Sequence, residues 1–257
     1  MHSTHSYDGK VPLAELKTLL KGQGISFCCM TEHTDEMTPE GAHAFVEECR
    51  ELSDETFVFV PGFEVPYQRA HVLHIGASEF LGQFADATEL TVWRNVTPLV
   101  ILAHPVRNHF IVDETLLSVI DGVEVWNQQY EGKHAPRSRS LKLLQSLKKR
   151  KENLLATGGL DLHRKEHFGT PQIQLETDAL TAEAVVTSLK SGSYTIKGNG
   201  ILLDAQGQFM AGGGLRTKLQ SQLAIVTITA GKLVNATLAR FGLSLPKGLR
   251  QALRAKV

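Results

Sequence analysis

Residues 99–105 read Leu-Val-Ile-Leu-Ala-His-Pro. Five apolar residues in a row have the length of a buried strand and are too few for a buried helix. The run ends on His104, a side chain that can ligate a metal or carry a proton, and Pro105 follows it. The same pattern recurs along the chain. The apolar run 25–30 leads to Glu32-His33, 63–65 holds Glu64, and 154–158 leads to Asp161 and His163. Further strand-like runs lie at 57–60, 71–77 and 122–126.

Between these runs the apolar spacing turns helical. Residues 11–23 place apolar side chains at 13, 16, 19 and 20, and Gly24 ends them. Pro39–Leu52 has Thr38 as N-cap and proline at its first position. Residues 113–120 and 138–151 read as helices too. Repeated βα units with short loops imply a parallel sheet covered by helices. In α/β barrels the chemistry sits at the C-terminal strand ends. The spacing therefore predicts a barrel with Glu32, His33, Glu64, His104, Asp161 and His163 on one rim. The opening residues 1–9, Met-His-Ser-Thr-His-Ser-Tyr-Asp-Gly, add His2 and Asp8. Histidine and carboxylate are the ligands that zinc, manganese or iron accepts.

Beyond the barrel, 178–191 reads as a helix, and 193–197 and 201–203 as short strands around Gly198-Asn199-Gly200. Gly212-Gly213-Gly214 reads as a hinge, followed by a long helix from 215 to about 241 and a shorter basic one at 246–256.

An apolar share of 42% and a charged share of 21% belong to a globular chain and exclude a disordered one. Cys28 and Cys29 are adjacent in a strand, and the third cysteine is Cys49, so a disulfide framework is not expected. No leader pattern opens the chain and no apolar run has the ~20 residues of a membrane-spanning helix, so the expected location is cytoplasmic. The formal net charge of zero hides a split. All 27 acidic residues lie at or before Asp204, whereas residues 205–257 carry eight basic residues and no acid. This predicts a body over 1–204 and a basic, helical extension over 205–257, the latter packed on the barrel or on a second copy, or else docking on an acidic partner or an anionic membrane surface. No nucleic-acid-binding motif accompanies the charge.

The segments His2-Ser-Thr-His-Ser-Tyr-Asp8-Gly9-Lys10, Thr31-Glu32-His33, Pro61-Gly62-Phe63-Glu64, His71-Val72-Leu73, Leu102-Ala103-His104-Pro105, Gly122-Val-Glu124-Val-Trp-Asn127 and Gly158-Gly-Leu-Asp161-Leu-His163 resemble, in that order, the motifs of the polymerase and histidinol phosphatase (PHP) superfamily. The likeness runs over about residues 1–195. It implies a distorted (β/α)7 barrel and hydrolysis of phosphate esters at a centre of two or three divalent ions. It also implies a ligand set: His2, Glu64 and Asp161 around one ion; Glu64, His71 and His104 around a second; Asp8, His33 and His163 around a third. The family opens on His-x-His, and here Met1 stands at the middle position.

Several residues need weighing against plainer roles. His71 and His74 are three apart and so face opposite sides of a strand, and His71 matches the motif. Glu32 is read either as an acceptor orienting His33 or as an exposed acid, and Glu124 as a structural carboxylate. His5 is read as a surface residue. Arg107, His109, Lys133, His134, Arg137 and Arg164 follow strand ends, where cations clamp phosphate. Of these Arg107, Arg137 and Arg164 are taken as substrate-binding. The run Lys148-Lys149-Arg150-Lys151 is expected to complement a helix dipole in solvent. The expected activity is metal-dependent hydrolysis of a small phosphorylated substrate, with Glu64, His104 and Asp161 acting through their ions. A regulatory, non-catalytic PHP-like module is the competing reading, and another metal-assisted hydrolysis, such as that of a cyclic phosphodiester, is the third.

Overall fold

The computed structural model describes residues 1–130 and 134–214, together with eight residues between 226 and 240 that are helical. The elements in chain order are α1 (Leu13–Gly22), β1 (Phe27–Cys29), β2 (Glu32–His33), α2 (Pro39–Leu52), β3 (Val58–Val60), β4 (Gly62–Tyr67), β5 (Ala70–Ile75), α3 (Ala87–Val96), β6 (Leu99–Leu102), α4 (Glu114–Val119), β7 (Gly122–Asn127), α5 (Ser138–Lys148), β8 (Leu155–Gly159), β9 (Gln172–Leu175), α6 (Ala182–Ser191), β10 (Tyr194–Gly198), β11 (Ile201–Asp204) and β12 (Phe209–Ala211).

The architecture is α/β with a mixed sheet. Six strands run in the order β2-β4-β5-β6-β7-β8, and β1 pairs separately with β3. Met30 N–H donates to Val60 O at 2.9 Å and extends the β1/β3 ladder by one residue toward β2. Pairing is parallel for β1/β3, β2/β4, β6/β7 and β7/β8, as βα units require. It is antiparallel for β4/β5 and β5/β6, which corrects the expectation of a parallel sheet. Only Gln68 and Arg69 join β4 to β5, too few for a crossover helix. The described strands do not close into a ladder-paired barrel. Instead the opening residues lie between the two ends: His2 N–H donates to Leu162 O and Thr31 N–H to Met1 O, each at 2.9 Å.

A continuous apolar core binds sheet to helices. Trp93, Trp126, Phe45, Phe57, Phe59 and Phe63 are among its largest fully buried side chains. Thr38 caps α2 by accepting from Gly41 N, with Pro39 at the first turn. A second sheet, β12-β11-β10-β9, is antiparallel throughout. Its last strand already uses residues 209–211, so the start of the basic extension is sheet. Of the apolar stripe read along the extension, Val226, Leu233 and Leu238 are helical, whereas Leu215, Leu219, Leu223 and the whole of 246–256 lie outside the described residues. Lys133 lies outside them as well. Among the described residues no helix is long and apolar enough to cross a membrane.

Candidate metal centre

The sheet brings eight side chains to one place: His2, Asp8, His33, Glu64, His71, His104, Asp161 and His163. His33 ends β2, Glu64 lies in β4, and His104, Asp161 and His163 follow β6 and β8. His71 sits at the start of β5 rather than its end, and it reaches the same rim because β5 runs antiparallel to its neighbours.

Glu64 is the hub. It is 2% exposed. Its Oε1 contacts His71 Nδ1 and lies 3.2 Å from His104 Nε2, and its Oε2 is 3.4 Å from His2 Nε2. His2 Nε2 is also 3.2 Å from Asp161 Oδ1. Asp8 lies between two rings, 3.8 Å from His33 Nε2 and 3.1 Å from His163 Nε2. The rings of His33 and His163 both pack against His2, with centroids 4.2 and 4.3 Å away, and lie 5.7 Å from each other. His74 is on the other face of β5, buried against Trp93 and 3.1 Å from Thr97 Oγ1.

Two of the eight have positive φ without being glycine, His104 at 22° and Asp161 at 49°. Such backbone costs on the order of 1–3 kcal/mol per residue and persists only where the surroundings impose it. At His104 the imposing group is Glu124, buried, which accepts from His104 N–H at 2.8 Å and from Asn127 Nδ2 at 2.9 Å.

The charges are mutually dependent. Burial alone would lower the pKa of His2, but its hydrogen bonds to Asp161 and Glu64 outweigh burial and raise it to about 9. His104 is raised to about 9 in the same way, burial opposing and Glu64 prevailing. Burial would raise Glu64, yet hydrogen bonds from His104, His2 and His71 hold it well below the carboxylate range. Asp161 is likewise lowered, by His2 against burial. Burial and the neighbouring His2 charge lower His33 to about 4.

This donor set suits divalent cations. Three groups have their ligand atoms within 4.8 Å of one another: His2–Glu64–Asp161, His33–Glu64–His71 and His2–His33–His163. The first coincides with the set implied by the resemblance. In the second His33 stands where His104 was expected, and in the third His2 stands where Asp8 was expected. Asp8 Oδ1, His33 Nδ1 and His104 Nδ1 are buried without a hydrogen-bond partner. Buried polar atoms normally have partners, and a cation would supply them for Asp8 and His33, whereas His104 faces Glu64 through its other nitrogen.

The residues around the cluster divide. Arg107 lies beside it, with Nη1 3.4 Å from the hydroxyl of Tyr130, whose ring packs 4.5 Å from His104. Arg137 lies 5.5 Å over the Phe110 ring, Arg164 is exposed before the short turn Lys165–His167, and neither contacts the cluster. His109 is exposed and His134 half-buried. His5 is 2.7 Å from Glu48 and remote from the eight ligands' contacts. Glu32 does not engage the His33 ring; its carboxylate accepts from Ser3 N–H and the Ser6 hydroxyl. Tyr130 and Ser6 are the residues that sequence spacing passes over. Tyr130 follows the Gly122–Asn127 motif by three residues and gives no signal of its own. Ser6 lies inside the opening motif.

No protein-family model and no curated protein matches the chain. Among solved structures it resembles a two-domain protein from Bacteroides vulgatus ATCC 8482 containing a predicted PHP-like metal-dependent phosphoesterase. The TM-score is 0.57 at 14% identity, covering 79% of this chain and 64% of that one. At that identity the likeness concerns the fold alone: this chain shares an α/β architecture with that protein and spans 64% of its length.

Proposed function

We propose that the chain is a metal-dependent hydrolase of phosphate esters that holds two or three divalent ions, zinc, manganese or iron, in the cluster around Glu64. The observation that carries this reading is three overlapping donor groups sharing His2, His33 and Glu64, with Asp8 Oδ1 and His33 Nδ1 buried and unpaired beside them. The reading extends to the frame. The opening residues, β1 with β2, β3 with β4, β5, β6, β7 and β8 make seven strand positions in a ring, a distorted (β/α)7 barrel. Support for closure comes from the hydrogen bonds of His2 and Thr31 across the two ends.

Ions held by these residues would supply positive charge for a phosphate and would lower the pKa of water toward neutrality. The chain's own part is to hold and neutralise. Glu64, His104 and Asp161 are the catalytic ligands, and His2, Asp8, His33, His71 and His163 complete the cluster. Arg107 takes the phosphate of a small phosphorylated substrate on this reading, which its 3.4 Å contact with the Tyr130 hydroxyl beside His104 supports. Roles for Arg137 and Arg164 rest on their chain positions. No serine or cysteine nucleophile is required.

Stripping the purified chain with a strong chelator and assaying a generic phosphomonoester tests the reading. Turnover is expected to vanish and to return with Mn²⁺ or Zn²⁺. Unchanged turnover after complete metal removal would refute it.

A further inference from the structure

Glu32 is a carboxylate beside the cluster that belongs to none of its donor groups. It is fully buried on β2, next in sequence to His33. Ser3 N–H reaches its two oxygens at 2.8 and 3.1 Å, and the Ser6 hydroxyl donates to it. The Ser6 oxygen is contacted by His33 N–H at 2.9 Å and lies 3.4 Å from His2 Nδ1.

A serine hydroxyl has one proton and two lone pairs, and an ionised carboxylate only accepts. The single Ser6 proton therefore goes to Glu32. His33 N–H fills one lone pair. His2 Nδ1 meets the other, so Nδ1 must carry a proton. A neutral imidazole protonated at Nδ1 has its free lone pair on Nε2. That nitrogen is the one 3.4 Å from Glu64 and 3.2 Å from Asp161.

We propose that Glu32 and Ser6 form a positioning relay that fixes the His2 tautomer, holding Nδ1–H so that Nε2 faces the cation of the His2–Glu64–Asp161 group. This rests on the reading of that group as a cation site. The relay is distinct from holding the opening loop in shape. The loop has its own bonds: Ser6 N–H to Ser3 O at 3.1 Å, Gly9 N–H to Ser6 O at 3.2 Å, and Lys10 N–H to His163 O at 2.9 Å. Carboxylates and hydroxyls behind a ligating histidine generally fix its tautomer, and their loss weakens metal affinity by about 10- to 100-fold.

Ser6→Ala, Ser6→Thr and Glu32→Gln in the full chain separate the alternatives. Zn²⁺ affinity is read by competition with a chromophoric chelator, the His2 tautomer by imidazole ¹⁵N shifts, and folding by the thermal midpoint. Ser6→Ala and Glu32→Gln are expected to weaken one Zn²⁺ equivalent by about 10- to 100-fold with the thermal midpoint little changed. Ser6→Thr, which keeps the hydroxyl, is expected to restore it. His2 is expected as the Nδ1–H form in the parent and as a tautomer mixture in Ser6→Ala. Parent-like affinity with an unchanged His2 tautomer in Ser6→Ala would overturn the relay, as would an Nε2–H form in the parent. Should the parent bind no Zn²⁺, the cation reading fails, and the Nδ1 shift of the protonated, metal-free ring then decides the contact with Ser6: it is expected to move in Ser6→Ala, and an unchanged shift would overturn the relay as well. If Ser6→Ala does not fold, Glu32→Gln and Ser6→Thr carry the same comparison.

Discussion

Glu64 meets three histidines and belongs to two donor groups, so no conservative change there is mild. Glu64→Gln keeps the shape but removes the charge that holds His2 and His104 protonated. It is expected to lose cation uptake by elemental analysis and to reduce turnover to that of the chelated parent. The pH dependence of the metal-free chain follows from the same contacts. His2 and His104 are raised from 6.5 to about 9, so their contribution to stability is full below pH 6.5 and lost as pH rises toward 9. His33, lowered to about 4, disfavours folding as pH falls from 6.5 toward 4. The lowered Glu64 and Asp161 contribute above the normal carboxylate range and lose that contribution at still lower pH. Urea denaturation in chelator should thus show greatest stability near pH 6.5, with an alkaline loss on the order of a few kcal/mol by pH 9. A flat profile from pH 6.5 to 9 would contradict the ion pairing. Cation uptake should release protons and strengthen over the same range. At this scale the sequence was informative, because ligand types at strand ends are visible as letters. What was not visible is which atom each carboxylate meets. Glu32 reads like a partner for its neighbour His33, yet alternation along β2 sends it to the opening loop instead.

Strand direction is the main feature that the sequence hid. The apolar runs of β4, β5 and β6 look alike whichever way they run, since an apolar run carries no polarity. The turn between β4 and β5 offers no glycine either; Gln68 itself takes the positive φ, at 53°. The helix α3, which the apolar spacing did not mark, starts on a cap of its own. Asp86 accepts from Thr88 and Glu89 N–H, and Glu89 returns to Asp86 N–H, a reciprocal cap. Asp86→Ala is expected to cost about 1 kcal/mol in chemical denaturation and to leave turnover alone. Gly62 opens β4, and a Cβ there would lie 2.5 Å from His74 O and 2.9 Å from Met30 O, both backbone. Gly62→Ala should therefore force the strands apart and destabilise by about 1–3 kcal/mol or more. Parent-like stability would show that β4 can shift away from its neighbours. The basic run at 148–151 has a use that its own helix does not predict. Lys151 donates to Leu117, Ser118 and Ile120 carbonyls and so closes the C-terminus of α4.

Across the whole molecule, segments far apart in sequence converge on one centre, and charge separates into an acidic body and a basic extension. Exposed Val226, Leu233 and Val234 lie in that extension. Opposite charge on the two parts leads us to expect association between copies, or with an acidic partner, that weakens with salt. Light scattering at low and high ionic strength checks it: a larger species at low salt that dissociates at high salt is expected, and an invariant monomer would remove the idea. The general α/β layout was readable because apolar period alternates between strand and helix; the joining of the sheet ends through residues 1–3 was not, because Met1 to Ser3 have no strand pattern. The central claim is that this junction, Glu64 and the β8 end hold divalent ions together. Anomalous scattering from crystals equilibrated with Mn²⁺ or Zn²⁺ measures that directly. Two or three peaks are expected, one of them among His2, Glu64 and Asp161. Ordered, empty side chains at saturating metal would contradict the claim.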